Sequence, residues 1–253
     1  MNQNPKARRI AVVTGGMGGL GVAICRQLAS AGRHVVALDL AARVERLAGF
    51  HHDMADLEGA VAFEPADVSD FEQCQQVIAR IERQHGGIDV LVNAAGITRD
   101  TSLRKMSPQQ WHELMRVNLD GVFNMCRHVV DGMSSRGFGR IVNISSVNGQ
   151  TGQFGQTNYS AAKAGVHGFS MALARETARK GVTVNTVSPG YCDTPMVAAV
   201  SAEVREQIIA DIPVGRLGTP GDIARAVGFL AADDAGYLTG INLPVNGGYF
   251  MSF

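Results

Sequence analysis

Residues 9–21 read RIAVVTGGMGGLG, and the helical pattern Val22–Ala31 follows directly. The segment joins a short β-branched run to a glycine-rich turn and then to a helix. Glycines permit a tight turn and a close approach of the backbone to a pyrophosphate, while the helix N-terminus offers unpaired N–H groups and a positive dipole end. The stretch therefore predicts a strand–turn–helix unit that binds an anion, although an ordinary glycine-rich turn has a similar composition.

The rest of the chain continues this alternation of short β-branched runs and longer helical patterns. The runs are apolar throughout, which is typical of strands buried on both faces of a parallel sheet. They are Arg9–Thr14, His34–Asp39, Val61–Pro65, Ile88–Asn93, Arg140–Ser145, Val182–Val187 and Ile241–Val245. The predicted helices are Gly19–Ala31, Asp70–His85, Ser107–Ser134, Thr157–Lys180, Ala198–Ile212 and Pro220–Ala232.

Local signals support these helix boundaries. Asp70 and Ser107 are suitable N-caps, and Pro108 and Pro220 fall near helix starts, where a missing N–H does no harm. The repeated order predicts an α/β fold, a single doubly wound (Rossmann-type) domain over residues 1–253, with a seven-stranded parallel sheet flanked by helices on both faces. Residues 188–217 are the least regular stretch and form either a mobile lid over a site or a long connection.

Composition excludes several other classes of protein. The 253 residues carry 23 basic and 23 acidic side chains, so no overall field draws the chain to nucleic acid or to an acidic membrane. The widely separated Cys25, Cys74, Cys126 and Cys192 lack metal-ligand spacing, which predicts buried thiols, no metal and no disulfide framework. No apolar run is long enough for a signal peptide or a membrane span, so we expect a cytoplasmic protein.

A carboxylate ends the second predicted strand. Asp39 follows Gly21 by 18 positions, close to the spacing of about 20 found in dinucleotide-binding folds. A carboxylate there accepts hydrogen bonds from both ribose hydroxyls and repels a 2′-phosphate, which predicts that NAD(H) is preferred. NADP(H) stays possible because Arg43 and Arg46 could receive the phosphate, and a solvated aspartate at a strand end is the alternative interpretation.

Tyr159 and Lys163 are four positions apart on a predicted helix, so they share one face. An ammonium beside a phenol is expected to stabilise the phenolate and to lower its pKa from about 10, as proton exchange near neutral pH requires. Lys163 is one of only four lysines, against 19 arginines, so a lysine-rich surface does not explain it. A surface contact is the alternative interpretation of an isolated pair.

Taken together, these motifs resemble the short-chain dehydrogenase/reductase superfamily over essentially the whole chain. The residues that carry the resemblance are Thr14, Gly15, Gly19, Gly21, Asn93, Ala94, Ala95, Gly96, Asn118, Ser146, Tyr159, Lys163, Pro189 and Gly190. Ala94 departs from the pattern, because the family usually has a second asparagine there, and this puts one structural hydrogen bond in doubt.

The resemblance implies four catalytic residues. Ser146 would hold the substrate carbonyl, Tyr159 would exchange the proton, Lys163 would hold the nicotinamide ribose and tune Tyr159, and Asn118 would support a water leading to solvent. The implied nucleotide-binding residues are Gly15, Gly18, Gly19, Leu20, Gly21, Asp39, Asp67, Val68, Asn93, Gly96, Tyr159, Lys163, Pro189, Gly190 and Thr194.

A closer resemblance, to the bacterial acetoacetyl-CoA reductases of polyhydroxybutyrate synthesis, rests on residues 15–19, 96–100, 147–159 and 188–191. It implies NAD(P)H-dependent reduction of an acyl-CoA thioester by a homotetramer with the Ser107–Ser134 and Thr157–Lys180 helices as contact surfaces. This group usually uses NADPH, whereas Asp39 favours NADH. The implied substrate residues are Ser146, Gln153, Phe154, Gln156, Tyr159 and Tyr191.

Several alternatives stay open at this point. The glutamine-rich loop could satisfy only its own backbone, and Arg99, Arg104 and Lys105 could meet phosphates of coenzyme A or mark a solvated helix start. The group is similar to the 3-oxoacyl-[acyl-carrier-protein] reductases, so a carrier-bound substrate is the main rival. A dinucleotide-binding scaffold without turnover is a hypothesis of a different class.

Overall fold

In the computed structural model, which describes residues 8–57, 59–194 and 201–251, seven parallel strands form one sheet. They are β1 (Ile10–Thr14), β2 (His34–Asp39), β3 (Val61–Pro65), β4 (Val90–Asn93), β5 (Gly139–Ile144), β6 (Val182–Pro189) and β7 (Asn242–Val245). The spatial order β3-β2-β1-β4-β5-β6-β7 means that the chain winds from the centre to one edge and then to the other. The predicted doubly wound α/β fold is confirmed.

Helices cover both faces of the sheet. In the described part of the chain they are α1 (Gly19–Ser30), α2 (Leu47–Asp53), α3 (Phe71–His85), α4 (Pro108–Met115), α5 (Gly121–Arg136), α6 (Asn148–Thr151), α7 (Thr157–Thr177), α8 (Ala202–Ala210) and α9 (Pro220–Leu230). Ala11 and Val13 of β1 join the core beneath α1 and α9, while Ile10 and Val12 join the core beneath α3, α5 and α7. Successive strand residues point to opposite faces, so one strand serves both cores.

The predicted N-caps Asp70 and Ser107 are confirmed. Asp70 accepts a hydrogen bond from the Gln73 N–H at 2.9 Å and so caps α3. Ser107 forms a capping box with Gln110 ahead of α4, and Pro108 is the first residue of that helix.

The predicted helix Ser107–Ser134 is interrupted. Arg116–Asp120 forms a π-helical turn between α4 and α5, with Asn118 fully buried. Hydrophobic periodicity does not show one widened turn, so the sequence predicts a continuous helix here. The short helices α2 and α6 also lack a readable period.

The predicted lid at 188–217 begins too early. Ser188 and Pro189 belong to β6, because the strand continues beside β7 and the Ser188 hydroxyl donates to Asn242 at 2.7 Å. Further along, α8 is a helix without buried residues, as a lid would be. Residues 195–200, which include Pro195, lie outside the described residues.

The turn after β1 and the start of α1 pack so closely against neighbouring backbone that two of their positions have no room for a Cβ atom. Gly15 has a φ of +65°, and a Cβ there would lie 2.9 Å from the Ala95 Cα. A Cβ at Gly21 would lie 2.1 Å from the Gly15 carbonyl oxygen. Because Gly21 lies within α1, the helix can pack against the turn only if this position has no side chain.

We expect Gly21→Ala to lower the free energy of unfolding by about 1–3 kcal/mol, because the methyl group meets backbone rather than a movable side chain. Gly49→Ala is a matched control, since Gly49 is also helical and a Cβ there meets nothing within 4 Å. It should have no effect or stabilise by up to about 1 kcal/mol. Urea unfolding at one fixed protein concentration measures both, and equal effects would contradict the close contact.

Candidate active site

The predicted site residues gather at the carboxyl ends of the central strands. The Thr14 hydroxyl at the end of β1 accepts hydrogen bonds from the N–H groups of Ala94 and Ala95, both at 3.1 Å. The Val147 N–H donates to the Pro189 carbonyl at 2.8 Å, which joins the loops after β5 and β6. Ligands of doubly wound sheets bind at this edge, where the strand order reverses between β1 and β4.

The first turn of α1 faces this edge without a competing side chain. Gly18 is the N-cap residue and makes no side-chain cap, and the first helical turn contains no acidic residue. The Gly18 N–H donates to the Gly15 carbonyl at 3.0 Å and closes the turn. The N–H groups at the start of α1, including those of Gly19, Leu20 and Gly21, therefore have the arrangement that an anion would require.

Asp39 lies against this glycine turn. It is only 6% exposed, and its carboxylate accepts hydrogen bonds from the N–H groups of Met17 at 3.2 Å and Leu40 at 2.9 Å. The glycine turn, the uncapped helix end and a carboxylate at the neighbouring strand end fit a dinucleotide. The side chain of Arg43 lies outside the described residues, so the structure leaves its predicted contact open.

The loop after β3, which carries Asp67 and Val68, is fixed by contacts with α5 and within its own turn. Val68 is buried against Gly121, and its carbonyl accepts a hydrogen bond from the Asn124 side chain at 2.8 Å. The Asp67 carboxylate accepts from the Ser69 N–H at 2.9 Å. Asp67 and Val68, which the resemblance implies as nucleotide-binding residues, are thus held in place by α5 and by their own turn.

The structure places the side chain of Asn93 in the core instead of the cleft. Its side-chain amide donates to the Asn143 Oδ1 at 2.8 Å, and the Asn143 Nδ2 donates in turn to the Ser170 hydroxyl at 2.8 Å. Asn93 of β4 lies opposite Asn143 of β5, and both side chains point to the sheet face that α5 and α7 cover. The implied contact of Asn93 with the nucleotide stays a prediction, and it would involve the backbone of this residue rather than its side chain.

Tyr159 and Lys163 share the sheet-facing side of α7, as predicted. The Lys163 Nζ lies 5.7 Å from the centre of the Tyr159 ring and donates to the Ile144 carbonyl at 2.8 Å. Lys163 is buried, and burial lowers its pKa to about 8, because an ammonium loses its hydration there.

The pKa of Tyr159 shifts in the direction opposite to the prediction. Burial raises this pKa above its usual value, a hydrogen bond with Ser146 lowers it, and the negative charge of Asp100 raises it. The desolvation of a phenolate outweighs the other influences. Tyr159 therefore keeps its proton at neutral pH, which suits a proton donor.

Asn118 lies beside this pair. Its side-chain amide makes two hydrogen bonds with the Ile97 backbone, accepting from the N–H at 2.9 Å and donating to the carbonyl at 3.0 Å. A Cβ at Gly96 would lie 3.6 Å from the Asn118 Oδ1 and 3.8 Å from the Lys163 Nζ. The π-helical turn thus brings Asn118, Gly96 and Lys163 together.

A chain of polar contacts supports Ser146. The Asn148 N–H donates to the Ser146 Oγ at 3.2 Å, the Asn148 side chain donates to Gln156 at 2.8 Å, and Gln156 donates to the Asp100 carboxylate at 2.7 Å. Both ends of the Gln156 amide are engaged within the protein. Sequence reasoning missed Asp100 and Asn148, because no spacing rule connects residues that only the tertiary fold brings together.

The remaining predicted substrate residues lie further out. Gln153 is exposed, and Phe154 is 91% exposed, so in this structure neither closes a pocket. Tyr191 is half-buried after β6 and packs edge-on against Tyr249. Pro189 ends β6 beside β7, and the N–H of Gly190, the next residue, donates to the Val245 carbonyl at 3.0 Å. The Thr194 hydroxyl donates to the Cys192 carbonyl at 3.4 Å.

Of the three basic residues near the cleft mouth, Arg99 forms an ion pair with Glu113 at 3.0 Å, and Arg104 and Lys105 lie exposed in the helical turn Leu103–Lys105.

Within the described ranges, no three His, Cys, Asp or Glu side chains are grouped as metal ligands. In the same part of the chain no helix combines the length and apolarity that crossing a membrane requires.

We expect the buried ammonium of Lys163 to make stability depend on pH. Its folded-state pKa of about 8 lies below the usual 10.5, so between these values the unfolded chain binds more protons and stability rises with pH. The unfolding free energy of the wild type minus that of Lys163→Met should therefore rise by about 2 kcal/mol from pH 7 to pH 9.5, because only the wild type gains stability from this group. Urea unfolding at both pH values tests this, and a constant difference would contradict it.

Comparisons with known proteins agree with this geometry. The short chain dehydrogenase family model matches residues 9–205. An acetoacetyl-CoA reductase of Allochromatium vinosum is 54% identical over 243 residues, which cover 96% of this chain and 99% of the relative. A 3-oxoacyl-[acyl-carrier-protein] reductase of Haemophilus influenzae is 44% identical over 245 residues, with the same shares. The chain therefore belongs to the short-chain dehydrogenase/reductase family and is an NAD(P)-dependent oxidoreductase that acts on CH–OH groups.

Proposed function

We propose that this enzyme reduces acetoacetyl-CoA to 3-hydroxybutyryl-CoA, a precursor of polyhydroxybutyrate. The observation that carries the proposal is the Ser146, Tyr159 and Lys163 group beside the dinucleotide site, in a chain 50–54% identical to acetoacetyl-CoA reductases of several bacteria. The assembled group also argues against a scaffold without turnover. Reduction of carrier-bound 3-oxoacyl chains is the second candidate, favoured by the 44% identity to a reductase of that name.

The bound nicotinamide would supply the hydride, and the protein provides position, charge and a proton. The Asn148 N–H donates to the Ser146 oxygen, and the Ser146 hydroxyl, which is hydrogen-bonded to Tyr159 here, would turn to the substrate carbonyl when substrate binds. Tyr159 gives its proton to that oxygen as negative charge develops on it, and the raised pKa ensures that the proton is present. Lys163, on the same helix face, can then replace the lost proton.

For the nucleotide, the residues proposed are the glycine turn and Asp39. Gly15 and Gly21 admit the phosphates to the backbone, while Asp39 faces the ribose from the end of β2. A carboxylate held by two backbone N–H groups cannot move away from a 2′-phosphate without losing both hydrogen bonds. This supports a preference for NADH over NADPH.

A homotetramer is also proposed, because exposed apolar side chains occur on two separate faces. Phe123 of α5 and Met171 of α7 lie on the helices predicted as contact surfaces. Phe229 of α9, Tyr237 and Met251 expose a second group. Two different two-fold contacts are what a tetramer of dihedral symmetry needs.

A cytoplasmic location is proposed because all four cysteines are buried and unpaired, which suits a reducing compartment.

A lid is proposed as well. It would be centred on α8, which has no buried residues and is followed by a hydrogen bond from the Val214 N–H to the Gly247 carbonyl at 3.1 Å. A surface helix fixed at its end can move without disturbing the core.

We expect NADH oxidation that depends on acetoacetyl-CoA, with a higher kcat/KM than for longer 3-oxoacyl thioesters or simple ketones. Absorbance at the reduced-nicotinamide band measures the rates over a substrate panel. A higher kcat/KM with carrier-bound chains would support the second candidate.

Tyr159→Phe should abolish turnover while NADH binding persists, because the phenyl ring fills the same space without a proton to donate. An active Tyr159→Phe enzyme would show that Tyr159 is not the proton donor.

We expect the wild type to have a higher kcat/KM with NADH than with NADPH. Asp39→Asn should lower the NADH-to-NADPH ratio about tenfold or more, since it removes the charge that repels the 2′-phosphate. Glu64→Gln is the control, because Glu64 of the neighbouring strand β3 is paired with Arg80 of α3 and its charge lies outside the proposed ribose site. A wild-type preference for NADPH would defeat this assignment.

A further inference from the structure

Tyr191, a proposed substrate residue, has a backbone held from two sides. The Gly190 N–H donates to the Val245 carbonyl at 3.0 Å, and the Gly218 N–H donates to the Tyr191 carbonyl at 2.9 Å. Because the Val147 N–H donates to the Pro189 carbonyl, Tyr191 follows a strand end that is joined to the loop carrying Ser146. Backbone contacts fix the Cα of Tyr191 but not the direction of its ring.

Tyr249 fixes the ring. The two ring centres are 5.4 Å apart and their planes meet at 86°, a favourable edge-to-face geometry. A side-chain hydrogen bond also connects the two tyrosines. Tyr249 lies after β7, near the C-terminus, and none of the sequence motifs included it.

The turn that carries Tyr249 is itself rigid. The Asn246 side chain donates to the Phe250 carbonyl at 2.8 Å and accepts from the Gly248 N–H at 3.0 Å. Gly247 and Gly248 have φ values of +63° and +85°, which other residues rarely adopt. The Gly247 carbonyl accepts from Val214, so the same turn holds the segment that follows α8.

Tyr191 has room to move if Tyr249 is removed. A cavity beside it is lined by Tyr191 together with Val214, Arg216, Asn246 and Gly247. The described contacts of the Tyr191 ring that oppose such a rotation come from Tyr249. The position of the ring therefore depends on the C-terminal turn.

We propose that Tyr249 is a positioning residue that sets the acyl-chain selectivity of the enzyme by holding Tyr191 as the end wall of the substrate pocket. The proposal rests on the proposed function, because it takes the substrate to be a 3-oxoacyl thioester. With Tyr249 in place the wall is fixed for a short chain. Without it, Tyr191 turns into the neighbouring cavity and longer chains fit.

The test compares acetoacetyl-CoA with 3-oxohexanoyl-CoA in the full-length enzyme. Tyr249→Leu should raise KM for acetoacetyl-CoA, change its kcat by less than about twofold, and shift the kcat/KM ratio about fivefold or more toward the longer substrate. Tyr249→Phe keeps the ring and should stay within about twofold of the wild-type ratio. An unchanged ratio in Tyr249→Leu overturns the proposal; if this variant does not fold, Tyr249→Met is tested in the same way.

A double-mutant cycle with Tyr191→Leu separates positioning from general disruption. Once Tyr191 is absent, Tyr249→Leu should have no further effect on selectivity. A full effect in that background overturns the proposal. Wild-type turnover tests the proposed function separately: an enzyme inactive on every 3-oxoacyl thioester overturns that function and the role of Tyr249, whereas an active enzyme without coupling overturns only the role of Tyr249.

Discussion

The contact between the start of α1 and the turn after β1 determines where the rest of the site lies. Gly21 packs against the Gly15 carbonyl at a distance that excludes a methyl group, and the helix end therefore points at the edge where β1 and β4 diverge. The same turn places Met17, whose N–H holds the Asp39 carboxylate. One close backbone contact thus connects the anion site to the group proposed to choose between nucleotides.

The catalytic side of the cleft depends on desolvation. Desolvation shifts the pKa values of Lys163 and Tyr159 in opposite directions, the first downward and the second upward. Burial of an ammonium costs stability, which the Ile144 carbonyl offsets only in part. This loss of stability falls at the position of the proposed proton transfer. The burial of the apolar strand residues on both faces of the sheet offsets it.

Features that depend on local pattern could be predicted from the sequence, while those that depend on tertiary contacts could not. Uniform apolar runs predicted all seven strands, and Asp70 and Ser107 marked helix starts because capping is a local interaction. The π-helical turn around Asn118, the inward direction of Asn93 and the raised pKa of Tyr159 depend on packing and burial. The contacts from Asp100 to Ser146 span two loops that only folding brings together.

The buried side chains of Asn93 and Asn143 fix the position of the catalytic helix on the sheet. Asn143 donates to Ser170, which lies two turns after Lys163 on α7, so this hydrogen bond fixes both the position of α7 along its axis and its rotation. A slip by one residue would move Tyr159 about 1.5 Å along the axis and turn it by about 100°. Accurate placement of the proton donor thus originates deep in the core, on the side of the sheet away from the nucleotide phosphates.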